Sequence, residues 1–243
     1  MKNLLLKWRF LFFKSFCKKV DFSNRELVLE ENFKSLDNFV IKDQDFYNDN
    51  PIWLSKDALS LTEEGLKITC KKVKATHTSY QGTRDTNWET GMIDTYGKFE
   101  HSKGLWVIEA KVGDGWPALW LLKRDRPIEG FTRQQITPEV DIMEIIHGMF
   151  RHTIHYGYSD IVYRRTSMGR SIKKWDNEFH EFAVDILNEG YNFYIDGILT
   201  AELRSKDPDF VTDAPSYIII NNAAHPYSTE DTEMIVRSMK VYK

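Results

Sequence analysis

The sequence contains only two cysteines in 243 residues, Cys17 and Cys70, too few for a disulfide framework. No cluster has the ligand spacing of a zinc or EF-hand site. Charge of one sign is also missing, because 33 basic and 36 acidic residues leave a net charge of −3, which offers no field for nucleic acid. No apolar run approaches the roughly 20 residues needed to cross a bilayer. Thiol chemistry, nucleic-acid partners, a resident metal and any other cofactor are therefore not expected.

What is plentiful is core material. The chain is 42% hydrophobic and 14% aromatic, enough for one all-β domain of this size. Residues 1–22 read as a basic amphipathic appendage and residues 23–243 as the domain. The first twenty, MKNLLLKWRFLFFKSFCKKV, lack a secretory core because Lys7, Arg9 and Lys14 interrupt it. Leu5, Trp8, Phe12 and Phe16 recur at helical spacing, which suits weak contact with a membrane surface through residues 1–20. The other reading is a helix packed on its own domain, or an irregular tail. With no cleavable signal recognised, the sequence by itself points to the cytoplasm, and a monomer is expected.

Along the chain, Glu26 to Val40 opens with a strand and residues 42–51 read as a polar loop. Ala58 to Lys71 gives two strands around Glu64-Gly65, with Leu66, Ile68 and Cys70 on one face. Thr76 to Thr90 has few apolar anchors and reads as a long loop, making Trp88 at its end a candidate sugar platform or a core cap. GKFEH and GLWVIEAKV alternate as half-buried strands. In WPALWLL, Trp116, Ala118, Trp120 and Leu122 share a face, and two indoles flanking a small alanine form a slot in which a sugar ring can stack. KRDRPIEGFTRQQIT follows as a charged loop. FRHTIHYG sets Arg151, Thr153 and His155 on one face of a strand. YRRTSMGRSIKK, with Arg164 and Arg165, reads as a basic loop whose guanidinium groups suit sulfate or carboxylate. Asp196-Gly197 marks a tight hairpin turn.

The chain is organised around Pro138-Glu139-Val140-Asp141-Ile142-Met143-Glu144-Ile145-Ile146-His147-Gly148. Acids are costly beside buried apolar residues unless they face solvent or a partner. Strand alternation puts Glu139 and Asp141 on one face and Val140 and Ile142 on the other, but would then send Glu144 into the core. One extra residue, a β-bulge at Ile142 and Met143, returns Glu144 to the acidic face. Four effective strand steps of ~3.3 Å separate the outer α-carbons by ~13 Å. Two inward-leaning Glu side chains then leave about 6 Å between carboxyls, near the separation of a retaining glycosidase. His147 should face the core.

The run EVDIME, preceded by GMIDTYGKFEHSKGLWVIEAKVGDGWPALWLL and followed by TIHYG, resembles glycoside hydrolase family 16, most closely its laminarinase-like members with a bulged ExDxxE strand. FHEFAVDILNEGYNFYIDG, PSYIIINNAA and the terminal MKVYK continue the resemblance in the family's order, over roughly residues 27–243. It implies a β-sandwich jelly roll of the concanavalin A-like kind and a retaining endo-β-glycosidase acting on a β-linked polysaccharide, either β-1,3-glucan-like or an anionic galactan-type polymer. Glu139 would be the nucleophile and Glu144 the acid/base. Asp141 would lie between them, in a crowd of carboxyls that helps keep Glu144 protonated. Trp88, Trp116, Trp120, His155, Arg164 and Arg165 would border the substrate. A transglycosylase and a non-catalytic carbohydrate-binding protein are the alternatives on the same scaffold. The family is usually secreted. Two departures stand out. Ile136-Thr137-Pro138 replaces the aromatic residue many members carry before the nucleophile, and Arg237 stands where many have a calcium-binding aspartate. Arginine cannot ligate a cation, so no calcium is expected there.

Overall fold

Alternating apolar and polar residues produce eighteen strands in the computed structural model, which describes residues 18–47, 50–123, 138–146, 148–158, 162–171, 178–225 and 228–243. In order they are β1 (Leu27–Glu31), β2 (Val40–Lys42), β3 (Asp45–Phe46), β4 (Ile52–Leu54), β5 (Leu59–Thr62), β6 (Gly65–Ser79), β7 (Gly82–Thr90), β8 (Met92–Asp94) and β9 (Gly104–Val112). There follow β10 (Trp116–Lys123), β11 (Glu139–Ile146), β12 (Met149–Tyr158), β13 (Val162–Ser171), β14 (Phe179–Leu187), β15 (Gly190–Ile195), β16 (Ile198–Arg204), β17 (Ser216–Ala223) and β18 (Thr232–Tyr242). Among the described residues no helix is long and apolar enough to cross a membrane.

The strands form two sheets. One has seven strands in the order β13-β12-β11-β10-β17-β8-β2. The other has eleven, in the order β16-β15-β14-β9-β18-β6-β7-β4-β3, with β1 on β18 and β5 on β6. Trp106, Ile108, Phe182, Phe193 and Val236 of the larger sheet share one core with Leu119, Leu121, Val140, Ile142, Met143 and Ile220 of the smaller. This is the two-sheet sandwich expected from the sequence. Its core faces follow the period of two, which sends every second side chain inward. Asp196 and Gly197, at φ 51° and 71°, close the β15–β16 hairpin as the Asp-Gly pair predicted.

Four local expectations are corrected. Thr76 to Thr90 is no loop, because β6 and β7 pair through Ser79 and Gly82. Its threonines favour strands and bond across the ladder, as in the 2.9 Å contact between the Thr78 and Thr83 hydroxyls. The segment is polar on both faces, so apolar periodicity is silent there. The basic run is likewise mostly strand: β13 pairs with β12 from Tyr158↔Val162 to Met149↔Ser171. Charged residues are at home on such an edge strand. GKFEH forms a turn, with the Lys98 and Phe99 amides donating to the Thr95 carbonyl at 3.0 and 2.9 Å. The polar stretch 42–51 contains β3.

Residues 18–22, grouped with the appendage on sequence, are bound to the domain. Lys19 bridges Ile198 at the free edge of β16, and the Val20 amide donates to the Gly197 carbonyl at 2.9 Å. Val20 packs on Leu105, Val107, Ala183 and Tyr194, the outward side chains of the larger sheet. Five residues after Val20, the Arg25 guanidinium grips Asp185 with both terminal nitrogens, at 2.6 and 3.2 Å. Residues 1–17, the greater part of the segment 1–20 to which the membrane reading applies, lie outside the described residues.

Candidate active site

β11 carries the predicted bulge. On β12 the register runs Glu139↔His155, Val140↔Ile154, Asp141↔Thr153 and then Glu144↔Arg151. On β10, Leu119 pairs with Met143 while the next residue, Trp120, pairs with Asp141, so Ile142 is the extra residue. Ile142 and Met143 are both fully buried. The surplus carbonyl has its own donor: the buried His152, opposite the bulge, donates Nδ1–H to the Ile142 carbonyl at 2.6 Å. His152 Nε2 meets the Thr200 hydroxyl at 2.9 Å, and its ring stacks on Phe193 with centroids 4.5 Å apart. The ring is thereby fixed from both ends.

On the outer face the acids have specific partners. The Trp116 indole Nε1–H donates to Glu144 Oε1 at 2.7 Å. His155 Nε2–H donates to Asp141 Oδ2 at 3.1 Å and stands 3.8 Å from Glu139 Oε1. Burial, and then the Asp141 carboxylate, push Glu139 up to about 7, while His155 opposes the shift and Glu144 adds to it. Burial first and crowding second thus raise Glu139. Among the described residues, the donor atoms of Glu139, Asp141 and His155 also gather within 4.8 Å, close enough for a metal ion. The 3.1 Å bond within this group already ties imidazole to carboxylate.

Sequence reasoning missed Tyr47, which lies in the supposed polar loop. It is buried edge-on against Trp116, with centroids 5.9 Å apart at 88°. Burial raises its phenol well above the ordinary range, and Glu144, Glu139 and Asp141 add to this. The hydroxyl therefore stays protonated beside the acids. The one available signal was aromatic spacing: Phe46 and Trp53, before and after Tyr47 in the chain, stack edge to face.

The other candidates separate. Trp116 and Trp120 are half-buried on the face of the acids, with Ala118 opposite Glu144 and Trp120 opposite Asp141. Each indole N–H is engaged by protein, Trp120 by Asn221 Oδ1 at 2.8 Å. Of the two readings of Trp88, sugar platform or core cap, the structure has the second, because its indole is buried with Tyr47, Ile52, Leu54 and Cys70 in a second core. Arg165 stands opposite His155 in the β12–β13 ladder, whereas Arg164 stands opposite the buried Tyr156. Arg237 bonds Glu109 at 2.7 Å and lies over the Phe179 ring. His147 and the charged loop 124–137 lie outside the described residues.

The bulge yields a stability prediction. His152→Leu leaves the Ile142 carbonyl buried without its donor, so the unfolding free energy should fall by about 2 kcal/mol. His152→Gln, which keeps an N–H, should recover part of it. Urea denaturation reads both, and an unchanged midpoint in His152→Leu would show that the bond does not hold the bulge.

No protein-family model matches the sequence, and no curated protein matches it either. Solved structures do match. The laminarinase catalytic domain from Thermotoga maritima MSB8 is 21% identical, with a TM-score of 0.71 over 91% of this chain and 99% of that one. SCLam, a non-specific endo-β-1,3(4)-glucanase from family GH16, is 19% identical, with a TM-score of 0.72 over 93% and 94%. A structure described with endo-acting O-glycanases of the human gut microbiota that initiate mucin breakdown gives 16% identity and a TM-score of 0.75 over 93% of both chains. Across nearly its full length, the chain has the concanavalin A-like jelly-roll fold of the glycoside hydrolase family 16 laminarinases and endo-β-glucanases.

Proposed function

We propose that the protein is a retaining endo-acting glycoside hydrolase that cleaves a β-linked polysaccharide by double displacement. The observation that carries this reading is the single row of Glu139, Asp141 and Glu144 on β11, with Glu144 bonded to Trp116 and Asp141 to His155. In the first step a Glu139 oxygen attacks the anomeric carbon, the glycosidic C–O bond breaks, and Glu144 gives its proton to the leaving oxygen. In the second, Glu144 takes a proton from water, the water oxygen attacks the same carbon, and the bond to Glu139 breaks. Retention follows from the two displacements.

Glu139 must be ionised to attack, yet burial and Asp141 hold its proton on. His155, whose Nε2 stands 3.8 Å from Glu139 Oε1, favours the ionised form. The Trp116 bond fixes the orientation of Glu144 at one oxygen. Free-enzyme activity should therefore fall as pH drops through about 7, because the raised carboxyl becomes protonated. His155→Ala removes the influence that lowers Glu139, so the acid limb of kcat/KM against pH should move upward. A limb that stays in place would remove His155 from the site.

The row Glu139–His155 continues in register to Arg165, with Arg151 opposite Glu144. With the basic run that includes Arg164 and Arg165 paired beside this strand, we favour an anionic galactan-type polymer over a neutral β-1,3-glucan. Azide rescue tests the roles of the acids. Azide should restore Glu139→Ala with a glycosyl azide of inverted configuration, and Glu144→Ala with one of retained configuration, because azide replaces the nucleophile in the first and attacks the covalent intermediate in the second. The opposite pairing would exchange the two roles. Binding of polysaccharide without turnover by the wild-type protein would favour a carbohydrate-binding protein, and elongated products with an added oligosaccharide acceptor a transglycosylase.

A further inference from the structure

Away from the acids, at the far end of β10 and on its core side, a lysine is buried without a carboxylate. Lys123 is 1% exposed. Its ammonium donates to the Ala214 carbonyl at 2.6 Å and, at 3.5 Å, to that of Thr212. The nearby acid, Asp213, is held by Lys103 at 2.5 Å. Among the described residues no carboxylate lies within ion-pair distance of Lys123. Burial first, and then the charge of Lys103, push Lys123 down to about 8, so it is still an ammonium at neutral pH. A buried ammonium held only by backbone carbonyls is costly, and the field of Asp213 offsets part of that cost.

Other polar atoms at the same end are also unsatisfied. Lys123 pairs with Ser216 across the β10–β17 ladder, and Ser216 pairs with His101 through two backbone bonds of 2.9 Å. Directly opposed residues point to the same face. Lysine, serine and histidine therefore form one row, with Thr212 beside the ammonium. The Ser216 and Thr212 hydroxyl oxygens and His101 Nε2 are buried without a hydrogen-bond partner. Buried polar atoms are rarely left so. Burial, and then the charges of Lys243 and Lys123, lower the pKa of His101 and keep its ring neutral.

We propose that this row is a binding site for a small inorganic anion, held by the Lys123 ammonium and the Ser216 and Thr212 hydroxyls. The anion neutralises the buried lysine and satisfies the orphaned hydroxyls. The site does not depend on the glycosidase reading.

The test compares unfolding of the wild type in bromide, phosphate and the bulky anion gluconate at equal ionic strength, together with bromide anomalous diffraction. Binding near saturation should raise Tm by about 2 to 4 °C in bromide or phosphate over gluconate, with an anomalous peak beside Lys123 Nζ. A response to phosphate alone would assign the site to oxyanions. Lys123→Met should lose the difference between salts. If that variant does not fold, Ser216→Ala carries the test and should show a weaker anion response. Equal Tm in all three salts would overturn the proposal, whether the pocket then holds only water or a bromide without effect on stability.

Discussion

The site depends on one carbonyl. A strand with two-residue periodicity cannot keep Glu139, Asp141 and Glu144 on one face and Ile142 and Met143 in the core, so a residue must be inserted, and insertion strands a backbone oxygen in apolar surroundings. His152 resolves this from inside the sandwich by donating to the Ile142 carbonyl while packing against Phe193. The core and the acidic face are thereby coupled. A change that loosens the ring beneath β11 also loosens the phase that brings Glu144 outward.

Three carboxyls in one row repel one another and resist burial, and each candidate partner meets a different part of that cost. Trp116 brings an N–H to Glu144, and His155 bonds Asp141 and lies close to Glu139. Tyr47 packs against Trp116 and adds a protonated phenol near all three acids. The indoles here are polar arms as well as apolar surface, because the β10 register sets them beside the carboxyls and Asn221. Position in the ladder decides which of the two properties an aromatic residue uses.

Much of this was legible in the residues themselves. Two adjacent buried apolar residues between acids forced the bulge, and alternation identified β10, β11 and β12 with their correct faces. Polar strands were not legible. The Thr76–Thr86 part of the β6–β7 hairpin and the edge strand β13 have no continuous apolar stripe in their sequences, so only the ladder itself reveals them. Trp88 was ambiguous because a strand-end tryptophan can cap a core or face a ligand, and Ile52, Leu54 and Cys70 decide it. Tyr47 and His152 could not be found from pattern alone. Their roles come from contacts between residues distant in the chain.

The bulge brings two glutamates to opposite ends of one short row, and the central proposal is that they act by double displacement. Proton NMR of the anomeric signals in the first minutes of polysaccharide hydrolysis reads the outcome directly. The account predicts that the β-anomer of the new reducing end appears first and mutarotates to the equilibrium mixture. Initial appearance of the α-anomer would mean inversion by a single displacement and would contradict the account.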